Sequence, residues 1–252
     1  MKSILAAFVF FTRLPLWRWV DVSGENFSRI IPYWPLVGWV TGGLSAATLF
    51  YASHLFPVTV AVVLALVVRL LLTGALHEDG LADFFDGFGG GGSNRERILA
   101  IMKDSHIGTY GVIALIFYFL FSVLLLSSLP LVLRCSLLLV ADPLAKGITG
   151  MMVNILPYAR PVEQCKSGIL YAKMPGMKLF FSLLFALLPV AVFFPVRYWP
   201  GVAMPVLVFF ALIVFLKKKI GGYTGDCCGA IMLLCELSFY IITVLIYSEG
   251  WK

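Results

Sequence analysis

Apolar runs long enough to cross hydrocarbon recur along the whole chain, separated by short polar segments. They predict spans at 36–55, 58–76, 108–129, 131–153, 179–195, 201–216 and 228–247, each near the roughly 20 residues that a bilayer core requires. The N-terminal run from Ile4 to Phe11 is shorter and is followed by Arg13 and Pro15 without a clear small-residue cleavage site. It reads as an interfacial or re-entrant segment of the mature chain and not as a signal peptide. The expected fold is therefore all-α: a polytopic transmembrane helical bundle of about seven spans, forming one membrane domain over residues 1–252.

Composition agrees with a lipid solvent. Of the 252 residues 61% are hydrophobic and 13% charged, with mean hydropathy +0.97, whereas soluble domains carry about 25% charged residues. The net charge of +6 does not call for nucleic acid, because the positions of the basic residues have a membrane explanation. With a cytoplasmic N-terminus, most of them, including Arg13, Arg95, Lys103, Arg160, Lys166 and Lys217 to Lys219, fall on the cytoplasmic side, and Arg134, Arg197 and Lys252 on the other. The positive-inside rule then predicts N-in, C-out topology for seven spans, and the polar segments 77–107, 154–178 and 217–227 face the cytoplasm. Cys135, Cys165, Cys227, Cys228 and Cys235 form an odd set without C-x-x-C spacing, which points to packing residues and not to disulfides or zinc.

The acids concentrate where the second span ends, at His77-Glu78-Asp79-Gly80-Leu81-Ala82-Asp83-Phe84-Phe85-Asp86. If the helix continues, Asp79, Asp83 and Asp86 are spaced i, i+4, i+7 and stack on one face. Three such carboxylates repel one another unless a cation sits between them, and magnesium suits hard oxygen ligands and substrate phosphate. A metal site that recruits a phosphorylated substrate is the reading this spacing favours. H-E-x-x-H is absent, since Leu81 stands four after His77, which disfavours zinc-protease chemistry.

Other candidates lie near the same predicted membrane face. Gly89 to Gly92 predicts a flexible turn, and Arg95 to Lys103 a short amphipathic helix covering the site. Asp104 could complete a metal shell, while Lys103 and His106 could bind phosphate. Gly221-Gly222-Tyr223-Thr224-Gly225-Asp226 opens the last span with a glycine-rich turn, a setting that favours an anion, although Asp226 would invite a cation or a hydroxyl. Inside the spans, Asp142 and Lys146 are four apart and are expected to pair; Arg69 and Glu236 are further interior polar candidates.

Taken together, Phe10-Phe11-Thr12-Arg13-Leu14-Pro15, Pro35-Leu36-Val37-Gly38, His77-Glu78-Asp79-Gly80-Leu81-Ala82-Asp83 with Asp86-Gly87, Met102-Lys103-Asp104-Ser105 with Gly108-Thr109-Tyr110-Gly111, and Gly222-Tyr223-Thr224-Gly225-Asp226 with Gly229-Ala230 resemble the cobalamin-5′-phosphate synthase family, also called adenosylcobinamide-GDP ribazoletransferases. The resemblance implies a magnesium-dependent inner-membrane transferase that joins adenosylcobinamide-GDP to α-ribazole or its 5′-phosphate and releases GMP. It implies a metal shell of Glu78, Asp79, Asp83 and Asp86, catalytic roles for His77, Asp83 and Asp104, and substrate contacts by Arg13, Lys103, His106, Arg160 and Asp226. His106 stands where the family pattern suggests Arg. Expected partners are these substrates and the lipid bilayer, with a homo-oligomer left open and nucleic acid not expected. Two competing readings are a CDP-alcohol phosphotransferase, whose D-G-x-x-A-R core is echoed but for Asp83 in place of Arg, and a cation-coupled transporter using Asp142, Lys146 and Glu236.

Overall fold

The computed structural model describes residues 2–18, 22–160 and 169–249; Cys165, Lys166 and Lys252 lie outside them. Twelve α-helices follow in order among the described residues: α1 (Lys2–Phe11), α2 (Gly24–Ser28), α3 (Trp34–Ala52), α4 (Val58–Thr73), α5 (Leu76–Gly91), α6 (Arg95–Lys103), α7 (Thr109–Ser127), α8 (Leu131–Gly150), α9 (Met152–Ile155), α10 (Gly176–Phe193), α11 (Ala203–Ile220) and α12 (Gly225–Glu249). The single β-type pairing among the described residues is an isolated parallel bridge between Tyr158 and Tyr223.

The outer helices display what a water-soluble protein hides. Along α7, Ile113, Ile116, Phe117, Leu120, Phe121 and Leu124 are exposed, and α10 and α11 carry similar rows, a lipid-facing pattern. Four segments are long and apolar enough to cross a membrane, namely α7, α10, Val196–Ile220 and α12, or five if α4 and α5 form one broken span. The expected count of about seven is thus not confirmed by length and composition. Helix α8 falls short because it carries Arg134, Asp142 and Lys146.

Small residues let the inner helices touch. A Cβ on Gly38 of α3 would lie 2.6 Å from Pro143 Cα, and one on Gly42 would lie 2.8 Å from the Leu138 carbonyl oxygen, so α3 and α8 meet backbone to backbone as small-residue membrane interfaces do. Within this contact Lys146 pairs with Asp142, as the sequence spacing predicted, and the Thr41 hydroxyl donates to Asp142 at 2.6 Å. Arg69 of α4 pairs with Glu236 of α12 through two bonds of 2.6 and 2.7 Å; the hydroxyls of Tyr118 and Tyr240 donate to the same carboxylate. All are buried. Burial with partners is how ionised groups are tolerated at such depth, and it leaves the transporter reading no free interior charge among these residues.

Two local expectations are corrected. The second span stops at Thr73: Gly74 (φ 64°) and Ala75 (φ 57°) both adopt left-handed backbone, and α5 leaves α4 at 91°, so the acidic motif rides on its own helix. The glycine run is helical through Gly91, because α6 packs on it: a Cβ on Gly91 would lie 2.8 Å from Ile98 Cα. The glycine-rich turn expected before the last span is present, between the end of α11 at Ile220 and the start of α12 at Gly225.

Candidate functional site

Two reciprocal glycine contacts fix the site. A Cβ on Gly80 of α5 would stand 2.9 Å from the Asp226 carbonyl oxygen, and a Cβ on Gly229 of α12 would stand 2.9 Å from that of His77. The first turns of α5 and α12 therefore cross at backbone contact distance, which brings His77 and Asp79 beside Asp226. The start of α12 is set by Thr224, whose hydroxyl accepts from the Cys227 N–H at 3.4 Å and donates to Asp226 at 3.2 Å. The Thr224 side chain thus caps the helix in the ordinary way.

A second strut adds a cation. The Tyr223 N–H donates to the Pro157 carbonyl at 3.0 Å and the Ala159 N–H to the Tyr223 carbonyl at 2.8 Å. Gly222 has no room for a side chain there, a Cβ lying 3.1 Å from Ala159 Cα. This pairing carries Arg160 to 3.9 Å from Asp226, and its Nη2 donates to the Leu99 carbonyl of α6 at 2.9 Å.

Between these elements lies a cavity of about 240 Å³. Its lining is charged at Asp79, Asp226 and Arg160 and aromatic at Phe10 and Phe11 of α1, Trp34 of α3, Tyr158 and Tyr171. His77 closes it, its ring nearly parallel to Phe11 and Trp34 with centroids 6.3 and 5.8 Å away. Among the described residues seven buried side-chain polar atoms have no hydrogen-bond partner, and three of them, Trp34 Nε1, His77 Nε2 and Arg160 Nη1, belong to residues lining this cavity. Buried polar groups normally find partners, so three unpartnered atoms on residues that line one hollow single it out as the candidate site.

The remaining sequence candidates separate. Asp83 is buried one turn beyond Asp79. Glu78 turns into the helical core, 3.7 Å from Arg69. Asp86 accepts from the Gly108 N–H at 2.7 Å and the Gly111 N–H at 2.9 Å, capping α7. Arg13 is exposed with its guanidinium packed over Gly74, and it lines a neighbouring groove. Lys103 lines another groove, which shares Arg160 with the cavity. Asp104 and His106 form an exposed pair at 2.6 Å, in which each hydrogen-bonds the other: the His106 pKa is raised above its ordinary value and that of Asp104 lowered.

The expected four-carboxylate metal shell is not gathered. Among the described residues no group of three or more His, Cys, Asp or Glu is placed to hold a metal ion. Asp79 and Asp226 nonetheless converge on one cavity from two helices, a donor set that fits magnesium, which is commonly bound by one or two carboxylates together with substrate phosphates. The aromatic wall, Phe10, Phe11, Trp34, Tyr158 and Tyr171, went unassigned from sequence, although Phe10 and Phe11 sit in a motif already marked.

The fold and site define an α-helical membrane protein with a cavity lined by polar and aromatic side chains. The chain belongs to the cobalamin-5-phosphate synthase family, whose model matches residues 3–244. Proteins named adenosylcobinamide-GDP ribazoletransferase are similar over nearly full length: one from Shewanella sp. (strain W3-18-1) is 37% identical, covering 97% of this chain and 94% of the relative. One from Shewanella amazonensis is 37% identical over 99% and 97%, and one from Leptospira interrogans 35% identical over 95% and 94%. No solved structure matches. This family membership makes the protein an enzyme of cobalamin synthesis and sets aside the CDP-alcohol phosphotransferase reading.

Proposed function

We propose that the chain transfers the cobinamide phosphate of adenosylcobinamide-GDP to α-ribazole or its 5′-phosphate and releases GMP, at the cytoplasmic face of the inner membrane. The observation that carries this is the set of three unpartnered buried polar atoms around the cavity shared by α5, α12 and the Arg160 segment. The names of the relatives supply the substrate classes. The sidedness is supported by the lysines at the end of α11, which sit with the site: Lys219 reaches the Gly92 carbonyl at 3.5 Å, and Arg95 donates to that of Ile220 at 2.8 Å.

In this reaction an acceptor hydroxyl attacks the phosphorus bonded to cobinamide, and the bond from that phosphorus to the oxygen bridging to GMP breaks, GMP keeping the oxygen. Such transfer depends mainly on positioning and charge neutralisation. His77, buried with Nε2 unpartnered, accepts the hydroxyl proton. Arg160 Nη1 donates to a phosphate oxygen, a charge-assisted bond worth more than a neutral one. Asp79 and Asp226, with Asp83 behind them, would hold magnesium; when bound, the ion neutralises the pyrophosphate charge.

Purified protein in nanodiscs, given adenosylcobinamide-GDP, α-ribazole and magnesium, is expected to yield GMP and completed corrinoid in equal amounts. Asp83→Asn and Asp226→Asn are expected to abolish both while inserting normally. GMP release without corrinoid product, or undiminished turnover by both variants, would refute the assignment.

A further inference from the structure

The cavity and the groove beside it differ in a way that sorts the two substrates. The cavity is backed by the buried, mutually stacked rings of Phe11, Trp34 and His77, with the partly buried Phe10 alongside. Its volume of about 240 Å³ exceeds the roughly 150 Å³ that holds one benzene-sized ring but is far too small for a macrocycle. The groove, about 290 Å³, is lined by Arg95, Glu96, Lys103 and Arg160 with aliphatic carbons between them. Arg160 borders both spaces.

Building on the proposed reaction, we infer that the aromatic cavity is the subsite of the acceptor nucleoside, and that the guanine nucleotide of the donor lies in the groove on the far side of Arg160. An apolar aromatic base stacks on the partly buried ring of Phe10, as bases stack on aromatic side chains elsewhere, with the buried Trp34 behind it, itself stacked on Phe11 at 4.9 Å. Its sugar hydroxyls give the buried His77 Nε2 and Trp34 Nε1 the partners they lack within the protein. Guanine fits the cavity poorly, because its N1–H, amino group and O6 would be buried against rings, and unpaired polar groups resist burial. In the groove, Glu96 can accept from N1–H and the amino group, and Lys103 can meet phosphate. Arg160 then stands between acceptor and donor, where the pyrophosphate must lie. The corrin ring remains outside both spaces.

Equilibrium dialysis of the full chain in nanodiscs, with labelled α-ribazole and labelled GMP measured separately and no donor present, tests this without turnover. Phe10→Ala and Trp34→Phe are expected to weaken α-ribazole binding about tenfold, in line with the loss of a stacking or polar contact to a base, and to change GMP binding less than about twofold. Glu96→Gln is expected to do the reverse. Phe10 is only partly buried, whereas Trp34 is fully buried and its loss to Phe leaves a small void, so binding by both variants is taken per folded molecule, with thermal unfolding measured in parallel. Weakened GMP binding with unchanged α-ribazole binding in the cavity variants would overturn the assignment, as would unchanged binding of both. Absence of α-ribazole binding by the unsubstituted chain, or of GMP formation with both substrates, would instead strike the proposed reaction itself.

Discussion

Asp86 separates a capping role from a metal role. Both carboxylate oxygens accept backbone N–H groups at the start of α7, from Gly108 at 2.7 Å and Gly111 at 2.9 Å, and the side chain is buried. Removing an N-cap acceptor costs about 0.5–2 kcal/mol, and losing a negative charge at a partly buried helix N-terminus costs up to about 2 kcal/mol more. Asp86→Ala forfeits both and is expected to lose roughly 2–4 kcal/mol. Asp86→Asn keeps one oxygen acceptor but gives up the charge and one bond, for a loss of about 1–2 kcal/mol.

Thermal unfolding in detergent reads the stability, and GMP release per folded molecule reads the chemistry. Capping alone predicts that Asp86→Asn unfolds earlier yet keeps its turnover within a few-fold, with an unchanged magnesium requirement. Wild-type unfolding combined with a loss of turnover of a hundredfold or more, relieved by raised magnesium, would place Asp86 on the metal and refute the cap as its main role.

Glu236→Gln leaves buried Arg69 without its main counter-charge and is expected to cost about 3–5 kcal/mol, near the lower end because Glu78 waits 3.7 Å away; a double-mutant cycle with Arg69→Met should recover much of that, and additive losses would argue against the pair. Gly229→Ala forces a Cβ to 2.9 Å from the His77 carbonyl, so α5 and α12 separate at a cost of about 1–3 kcal/mol with a larger proportional loss of GMP release; equal activity per folded molecule would deny that this crossing sets the site. For the exposed Asp104–His106 pair, Asp104→Asn is expected to return the His106 pKa towards its ordinary 6.5, measured by NMR of labelled histidine, and an unmoved titration would show the pair is not formed. The sign follows from the shifts: the histidine's contribution is complete below 6.5 and lost as pH rises through its raised folded value, while that of Asp104 is present above 3.8 and lost as pH falls through its lowered one. Solvent screening keeps the stability effect small at these fully exposed groups.

What could be read from the chain alone tracks how local the cause is. Helix positions follow from continuous apolar runs, so α7, α10, α11 and α12 begin and end within a few residues of the expected spans. The Asp142–Lys146 pair follows from a spacing of four on one helix. The bend after Thr73 was not legible, because it depends on Ala75 taking a left-handed conformation that its side chain disfavours; the Arg13 side chain packed over Gly74 from a distant segment helps to hold it. Likewise the partner of Arg69 lies 167 residues away, and no periodicity links them.

The same distinction explains why the acidic motif was found and its division of labour was not. Helical spacing puts Asp79, Asp83 and Asp86 on one face, but a face is not a site: α7 arrives at the far end of that face and takes Asp86 for its cap, while α12 arrives at the near end and sets Asp226 beside Asp79. Which carboxylates remain for a ligand is therefore decided by which neighbouring helices have backbone N–H groups to satisfy, and glycines at 80, 108, 111 and 229 determine how closely those helices come. The chemistry of the motif is thus selected by packing, so a substitution that shifts α7 or α12 without touching a carboxylate should alter activity as much as loss of an acid does.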